Sequence, residues 1–179
     1  MLTETELNDS LALVSWRARP RTFVALMGLY ESNYVRMKWL AHPPGLTRVS
    51  GLVSDLRTLD GTHRSCVAGD CDLLLSVTER SPYTSTLNLT YLLSGDEPES
   101  EGAVQYPDMR VRVYHDAHLA EAQEWAGTHS QHLLKALRIQ AERELDQRWA
   151  RNVMLNKWLE YCVERGHRFS SATRIVAGT

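Results

Sequence analysis

Residues 73–93, LLLSVTERSPYTSTLNLTYLL, constrain this chain more than any other stretch. Two runs rich in Leu, Val, Thr and Tyr flank ERSPY, whose Ser-Pro pair supplies turn chemistry. In the second run Leu87, Leu89 and Tyr91 alternate with Asn88, Thr90 and Leu92, a period of two that turns one set toward a core. Such a hairpin commits its neighbours to an antiparallel sheet, and the flanking sequence reads as helix. Phe23, Leu26, Tyr30, Tyr34, Met37 and Leu40 recur at helical spacing from a start near Thr22, with Glu31, Arg36 and Lys38 elsewhere on the wheel and Pro43, Pro44 and Gly45 as the stop. Toward the C-terminus, Leu133, Leu137, Ala141 and Leu145 lead into Trp149, Val153, Leu155, Trp158, Leu159 and Cys162, with Gly166 as the C-cap. Helices, then consecutive strands, then a long helix predict an α+β fold with an antiparallel sheet of about four to five strands.

The ends of the chain read differently. Thr3 and Glu6 form a capping-box pattern ahead of Leu7, Leu11 and Val14, which predicts a short separate helix ending before Pro20. The expected organisation is a helical extension over 1–20, one α+β domain over 21–167 and a tail over 168–179. Residues 94–107, SGDEPESEGAVQYP, are expected to form an exposed loop, because their acids, glycines and prolines match neither a strand nor a calcium loop.

Composition narrows the function classes. With 43% hydrophobic and 23% charged residues the chain is ordinary globular material. A formal charge of −2 and a pI near 6.4 provide no bulk attraction for nucleic acid or an anionic membrane, so neither is expected as a partner. No apolar run approaches a bilayer span and the acidic N-terminus does not resemble a signal peptide, which predicts a cytoplasmic protein. Three cysteines, Cys66, Cys71 and Cys162, read as reduced thiols; His63, Cys66 and Cys71 lack the fourth ligand of a structural zinc site. No cofactor is expected: the chain has no P-loop and no dinucleotide-binding glycine pattern.

The chemistry gathers in MRVRVYHDAHLAE, residues 109–121. Met109, Val111 and Val113 alternate with Arg110, Arg112 and Tyr114. A turn at Asp116 and Ala117 would pair His115 with His118, Tyr114 with Leu119, Val113 with Ala120, Arg112 with Glu121 and Val111 with Ala122. That register sets apolar against apolar and Arg112 against Glu121. A helix is the competing reading, because AHLAEAQEW is rich in helix formers and Asp116 is a candidate cap.

These pieces, together with YESNYVRMKWL, VTERSPYTSTLNL and DQRWARNVMLNKWLEYC, resemble the YqiB-like family of uncharacterised bacterial proteins from about Tyr30 to Gly166. The V-R-x-Y-H-D-A block and the turn before STLNL carry the resemblance. Asp146, Asn152, Leu155, Trp158, Leu159 and Cys162 fall at that family's spacing, whereas residues 126–145 depart from it. The resemblance favours a strand over residues 118–124 and brings no activity with it.

Two arginines on one strand face offer planar forks for a phosphate or carboxylate. Arg110, Arg112, Tyr114, His115, Asp116 and Glu121 are therefore the candidate ligand-binding set, joined by Arg80 and Tyr83 if the preceding turn converges there. The expected function is non-catalytic recognition of an anionic ligand or a protein partner. The alternative is a phosphoryl- or acyl-hydrolase with His115 as base, Asp116 orienting it and Arg110 or Arg112 stabilising negative charge. His115, Asp116 and His118 are weaker candidates for a metal. Asn152, inside the apolar stripe of the last helix, is expected to hydrogen-bond the backbone of a neighbouring loop.

Overall fold

Thr22 starts a helix where the sequence predicts one. Its hydroxyl accepts from the Ala25 backbone N–H at 3.2 Å, and helix α1 runs Phe23–Ala41. A computed structural model describes residues 16–17, 20–42, 55–93, 104–126, 144–170 and 173–175. After α1 come strands β1 (Thr62–Ser65), β2 (Asp72–Arg80), β3 (Thr84–Leu93), β4 (Val104–Tyr114) and β5 (Leu119–Ala126). Helix α2 (Glu144–Arg165) and the short strand β6 (Arg174–Ile175) complete the order. The six strands form one antiparallel sheet in the order β5-β4-β3-β2-β1-β6. The α+β expectation holds, with one strand more than expected. The extra strand, β6, is two residues that pair with Thr62 and His63, too short to show a period in sequence.

One face of the sheet carries the core. Leu73, Leu75, Leu87, Leu89, Tyr91, Met109, Val111, Val113, Ala120 and Ala122 are buried there beneath Met37 and Leu40 of α1 and Leu155, Trp158, Leu159 and Cys162 of α2. Each fully buried leucine contributes about 1.5–3 kcal/mol, so the β2–β3 hairpin supplies much of the drive to fold. Gly166, at φ +95°, ends α2 in the left-handed conformation expected of its C-cap. The predicted helix over residues 3–14 and the helical stretch from Leu133 to Ala141 lie outside the described residues.

Three local expectations need correction. Residues 104–107 are strand and not loop: β4 begins at Val104, and Pro107 is tolerated because the β3–β4 register shifts between Thr90 and Leu92. Phe23, counted on the apolar stripe, is 68% exposed. Arg36, placed off that stripe, is buried, its Nη1 donating to Ser32 Oγ at 2.6 Å and its Nη2 to Glu160 Oε1 at 3.2 Å. Helix α1 is thus buried on a wider arc than its hydropathy shows, because it meets both α2 and β5.

A buried ladder of amides explains that arc. Asn33 Nδ2 donates to Asn152 Oδ1 (3.1 Å) and to the Ala120 carbonyl (3.3 Å), while the Ala122 N–H donates to Asn152 Oδ1 (2.8 Å). Asn156 Nδ2 donates to Asn33 Oδ1 at 3.0 Å and to Ser32 Oγ at 2.8 Å. Two helices therefore satisfy the outer backbone groups of the edge strand β5, which would otherwise invite another strand. Asn152 does hydrogen-bond a neighbouring backbone, but that of the edge strand β5 and not of a loop.

Candidate functional site

Strand β5 resolves the ambiguity of residues 118–124, and its register is the expected one: Tyr114 opposite Leu119, Val113 opposite Ala120, Arg112 opposite Glu121 and Val111 opposite Ala122. The turn itself is wider, spanning His115–His118 with His118 at φ +54°. Consequently the two histidines do not face one another. His118 is exposed and stacks on Tyr34 at 5.2 Å between ring centroids, whereas His115 is buried.

Strand parity then divides the candidate set. Arg110, Arg112, Tyr114 and Glu121 lie on the sheet face turned away from the core. His115 continues the inward parity of Val111 and Val113, and Arg80 lies opposite Ser85 on that same side. Tyr83 is 67% exposed and joins the group only through its carbonyl, which accepts from the His115 backbone N–H at 2.8 Å. Asp116 is exposed, and among the described residues no hydrogen bond links it to His115.

On the outward face the charges are mostly matched. Arg110 Nη2 reaches Glu79 Oε1 at 3.3 Å, so this arginine already has a carboxylate partner. Glu121 is engaged, though not by Arg112: it accepts from Tyr30 Oη (3.1 Å), Tyr114 Oη (3.3 Å) and Arg148 Nη1 (3.3 Å). The expected cross-strand ion pair gives way to Arg148 of α2, Tyr30 of α1 and Tyr114 of the neighbouring strand, the two helix residues reaching the carboxylate because α1 and α2 pack along β5. Burial and the Glu121 charge push the Tyr30 phenol up to about 12, which keeps it a donor at any physiological pH. Arg112 faces Glu121 in register, yet its Nε is buried without a hydrogen-bond partner among the described residues. Beyond Arg110, a shallow hollow of about 300 Å³ is lined by Thr78, Asn88, Asp108 and Glu124. Its carboxylates oppose an anionic ligand.

The inward end of the sheet is built differently. A cleft of about 370 Å³ is lined by Arg57, Arg80, Ser81, Pro82, Ser85 and His115. Asp55 shapes the turn before β1 that carries Arg57, accepting from the Arg57 backbone N–H at 3.0 Å. Arg57 then reaches across to donate from Nη2 to the His115 carbonyl at 2.9 Å. The His115 Nε2 lies 2.8 Å from Ser85 Oγ, and its Nδ1 is buried with no partner among the described residues. Burial first, then the Arg57 charge, hold this imidazole below its ordinary 6.5. Neither the Arg57 nor the Arg80 guanidinium has a carboxylate oxygen within 4.0 Å among the described residues, in contrast to the pairs Arg36–Glu160, Arg110–Glu79, Arg165–Asp70 and Arg174–Asp60.

Of the sequence candidates, the structure brings together Arg80 and His115 and leaves Arg110, Arg112, Tyr114 and Glu121 on the opposite face. Sequence reasoning missed Arg57 and Ser85. Arg57 carried no signal, since its contact spans 58 residues. Ser85 carried one: it is a polar residue at the inward parity of Leu87 and Leu89. Among the described residues no group of three His, Cys, Asp or Glu side chains is placed to hold a metal ion. His63 spends its ring nitrogens on the Ser170 and Asp60 carbonyls, at 3.1 and 3.0 Å.

A family described as a protein of unknown function, DUF1249, matches residues 48–168. The chain belongs to this family. The DUF1249 match contains all of the cleft residues and the five strands β1–β5, and it leaves α1 outside. No curated protein matches the chain, and no solved structure does. No helix among the described residues is long and apolar enough to cross a membrane.

Proposed function

We propose that this DUF1249 protein is a non-catalytic, cytoplasmic binding protein that recognises an anionic group, free or on a partner, in the sheet-end cleft. The YqiB-like kinship read from the sequence motifs belongs to the same proposal. The observation that carries it is the pairing pattern: Arg57 and Arg80 line one cleft, and neither guanidinium has a carboxylate oxygen within 4.0 Å among the described residues. Guanidinium groups present planar donor forks suited to phosphate and carboxylate oxygens, and Ser85 adds a hydroxyl between them. The cleft offers donors and positive charge, and among the described residues no acidic side chain lines it.

Catalysis is less well supported. A hydrolase would use His115 as base on the Ser85 hydroxyl, and the 2.8 Å separation suits that transfer. However, a working base is oriented through its other nitrogen, and among the described residues His115 Nδ1 has no carboxylate or carbonyl upon it. Asp116, assigned that role from sequence, is exposed and makes no hydrogen bond to the ring among the described residues.

The test is a thermal-shift titration with sulfate, phosphate and simple carboxylates on the wild type and on Arg57→Ala/Arg80→Ala. A ligand at 100 times its Kd stabilises by about 2.7 kcal/mol, so the wild-type midpoint should rise by several degrees and the variant's should not move. Equal shifts in both proteins would end this reading.

A further inference from the structure

We propose that the cleft takes a doubly charged tetrahedral oxyanion, the phosphate group of a monoester or free phosphate, and that His115 takes up a proton as it binds. The inference rests on the anion-binding reading above and adds the ligand class and its linkage to pH.

The argument starts from the Ser85–His115 hydrogen bond. In a neutral imidazole one nitrogen is a donor and the other an acceptor, so either Nε2 donates to Ser85 Oγ or the hydroxyl donates to Nε2. When both nitrogens carry protons only the first arrangement survives, and the Ser85 hydroxyl hydrogen must then point away from the ring. Ser85 Oγ has no other hydrogen-bond partner among the described residues, and Ser85 lines the cleft. An imidazolium at His115 therefore turns Ser85 into a donor toward whatever occupies the space between Arg57 and Arg80.

The charges around the ring decide when that happens. Arg57 and Asp55 face it from the turn before β1, Arg80 from the end of β2, Ser85 from β3 and Asp116 from its own turn. The two arginines oppose a third cation and the two aspartates favour it. No protein acceptor meets Nδ1 among the described residues, so no direct carboxylate contact holds the proton in place. An arriving dianion supplies the missing negative charge. Two guanidinium forks and one hydroxyl also match three oxygens of a tetrahedral anion better than the two of a carboxylate. By linkage, a ligand that raises the imidazole's proton affinity binds more tightly once the proton is present.

Sulfate is the appropriate probe because it stays a dianion across the range in which histidine titrates. Its affinity should be measured by calorimetry between pH 5.5 and 7.5 in buffers of different ionisation enthalpy, for the wild type, His115→Gln and Ser85→Ala. The proposal expects sulfate to bind about three- to tenfold more tightly at pH 5.5 than at pH 7.5, with measurable proton uptake. His115→Gln should bind with no pH dependence, Ser85→Ala should bind several-fold more weakly, and acetate should bind more weakly than sulfate throughout. The wild-type His115 ring signals, followed by NMR, should titrate at higher pH with sulfate than without it, which keeps the test sound should a variant fail to fold. Sulfate binding with unchanged affinity, no proton uptake and no shift of the His115 titration overturns the inference and leaves the anion-binding reading intact. Absence of sulfate binding at every pH overturns both.

Discussion

The outward face of the β4–β5 hairpin and the cleft at its tip use the same residue types to opposite ends. On the face, Arg110 meets Glu79, and Glu121 gathers Tyr30, Tyr114 and Arg148. In the cleft, Arg57 and Arg80 stand beside a buried histidine and serine, and neither guanidinium has a carboxylate oxygen within 4.0 Å among the described residues. The difference follows from backbone geometry. A residue within a strand has neighbours across two ladders, and selection for stability can place an opposite charge there. A residue where a strand ends has fewer obligatory neighbours, so its charge remains available to something else. Arginine content alone does not separate a structural surface from a binding one; the partners of each arginine do.

Breaking the matched side should have the largest effect. Replacing Glu121 by Ala removes the acceptor of Tyr30 Oη and of Tyr114 Oη, and one partner of Arg148. We expect a loss of about 2 kcal/mol in denaturant unfolding with the slope unchanged, in line with the cost of leaving buried donors unpaired. A loss below 0.5 kcal/mol would mean that water serves those donors equally well, and the two regions would no longer differ.

A smaller effect is expected in the cleft, and it depends on pH. His115 titrates lower in the folded chain than in the unfolded one. Between those two values the unfolded state holds more protons, so stability rises with pH there. The contribution is complete above the ordinary value of 6.5, falls as the pH drops below it, and levels off beneath the folded value. Comparison of His115→Gln with the wild type at pH 7.5 and pH 5 should show the stability gap narrowing in acid. A gap that widens in acid would contradict the placement of His115 beside Arg57.

The smallest change is predicted for Arg110→Ala. Its partner Glu79 is well exposed, and exposed pairs contribute about 0–1 kcal/mol. Stability should stay within about 0.5 kcal/mol, and any sulfate-induced thermal shift should be retained. Loss of that shift would return the anion to the outward face.

Much of this molecule was legible in its sequence because period and register are local. Alternation in STLNLTYLL and MRVRVY identified the strands and their buried sides, and counting from the turn paired Arg112 with Glu121. Where sequence reasoning failed, the deciding contact was distant. Nothing near Glu121 announces that Arg148 and Tyr30 will reach it, and nothing near Arg36 announces Glu160. The candidate site was half legible for the same reason. His115 and Ser85 are both polar residues at inward parity, and the β3–β4 register sets both at one end of the sheet. Treating Arg110, Arg112 and Tyr114 as one site with His115 ignored that parity, which separates them by the thickness of the sheet.

The central claim is that an anion binds at the sheet end and not on the strand face. Backbone amide chemical shifts followed during a sulfate titration test it most directly, since both regions report in one experiment. We predict that the perturbations concentrate at Arg57, Ser81, Ser85 and His115, while Thr78, Asn88, Arg110 and Glu124 stay still. Perturbations centred on Arg110 and its neighbours, with Ser85 and His115 unmoved, would contradict it.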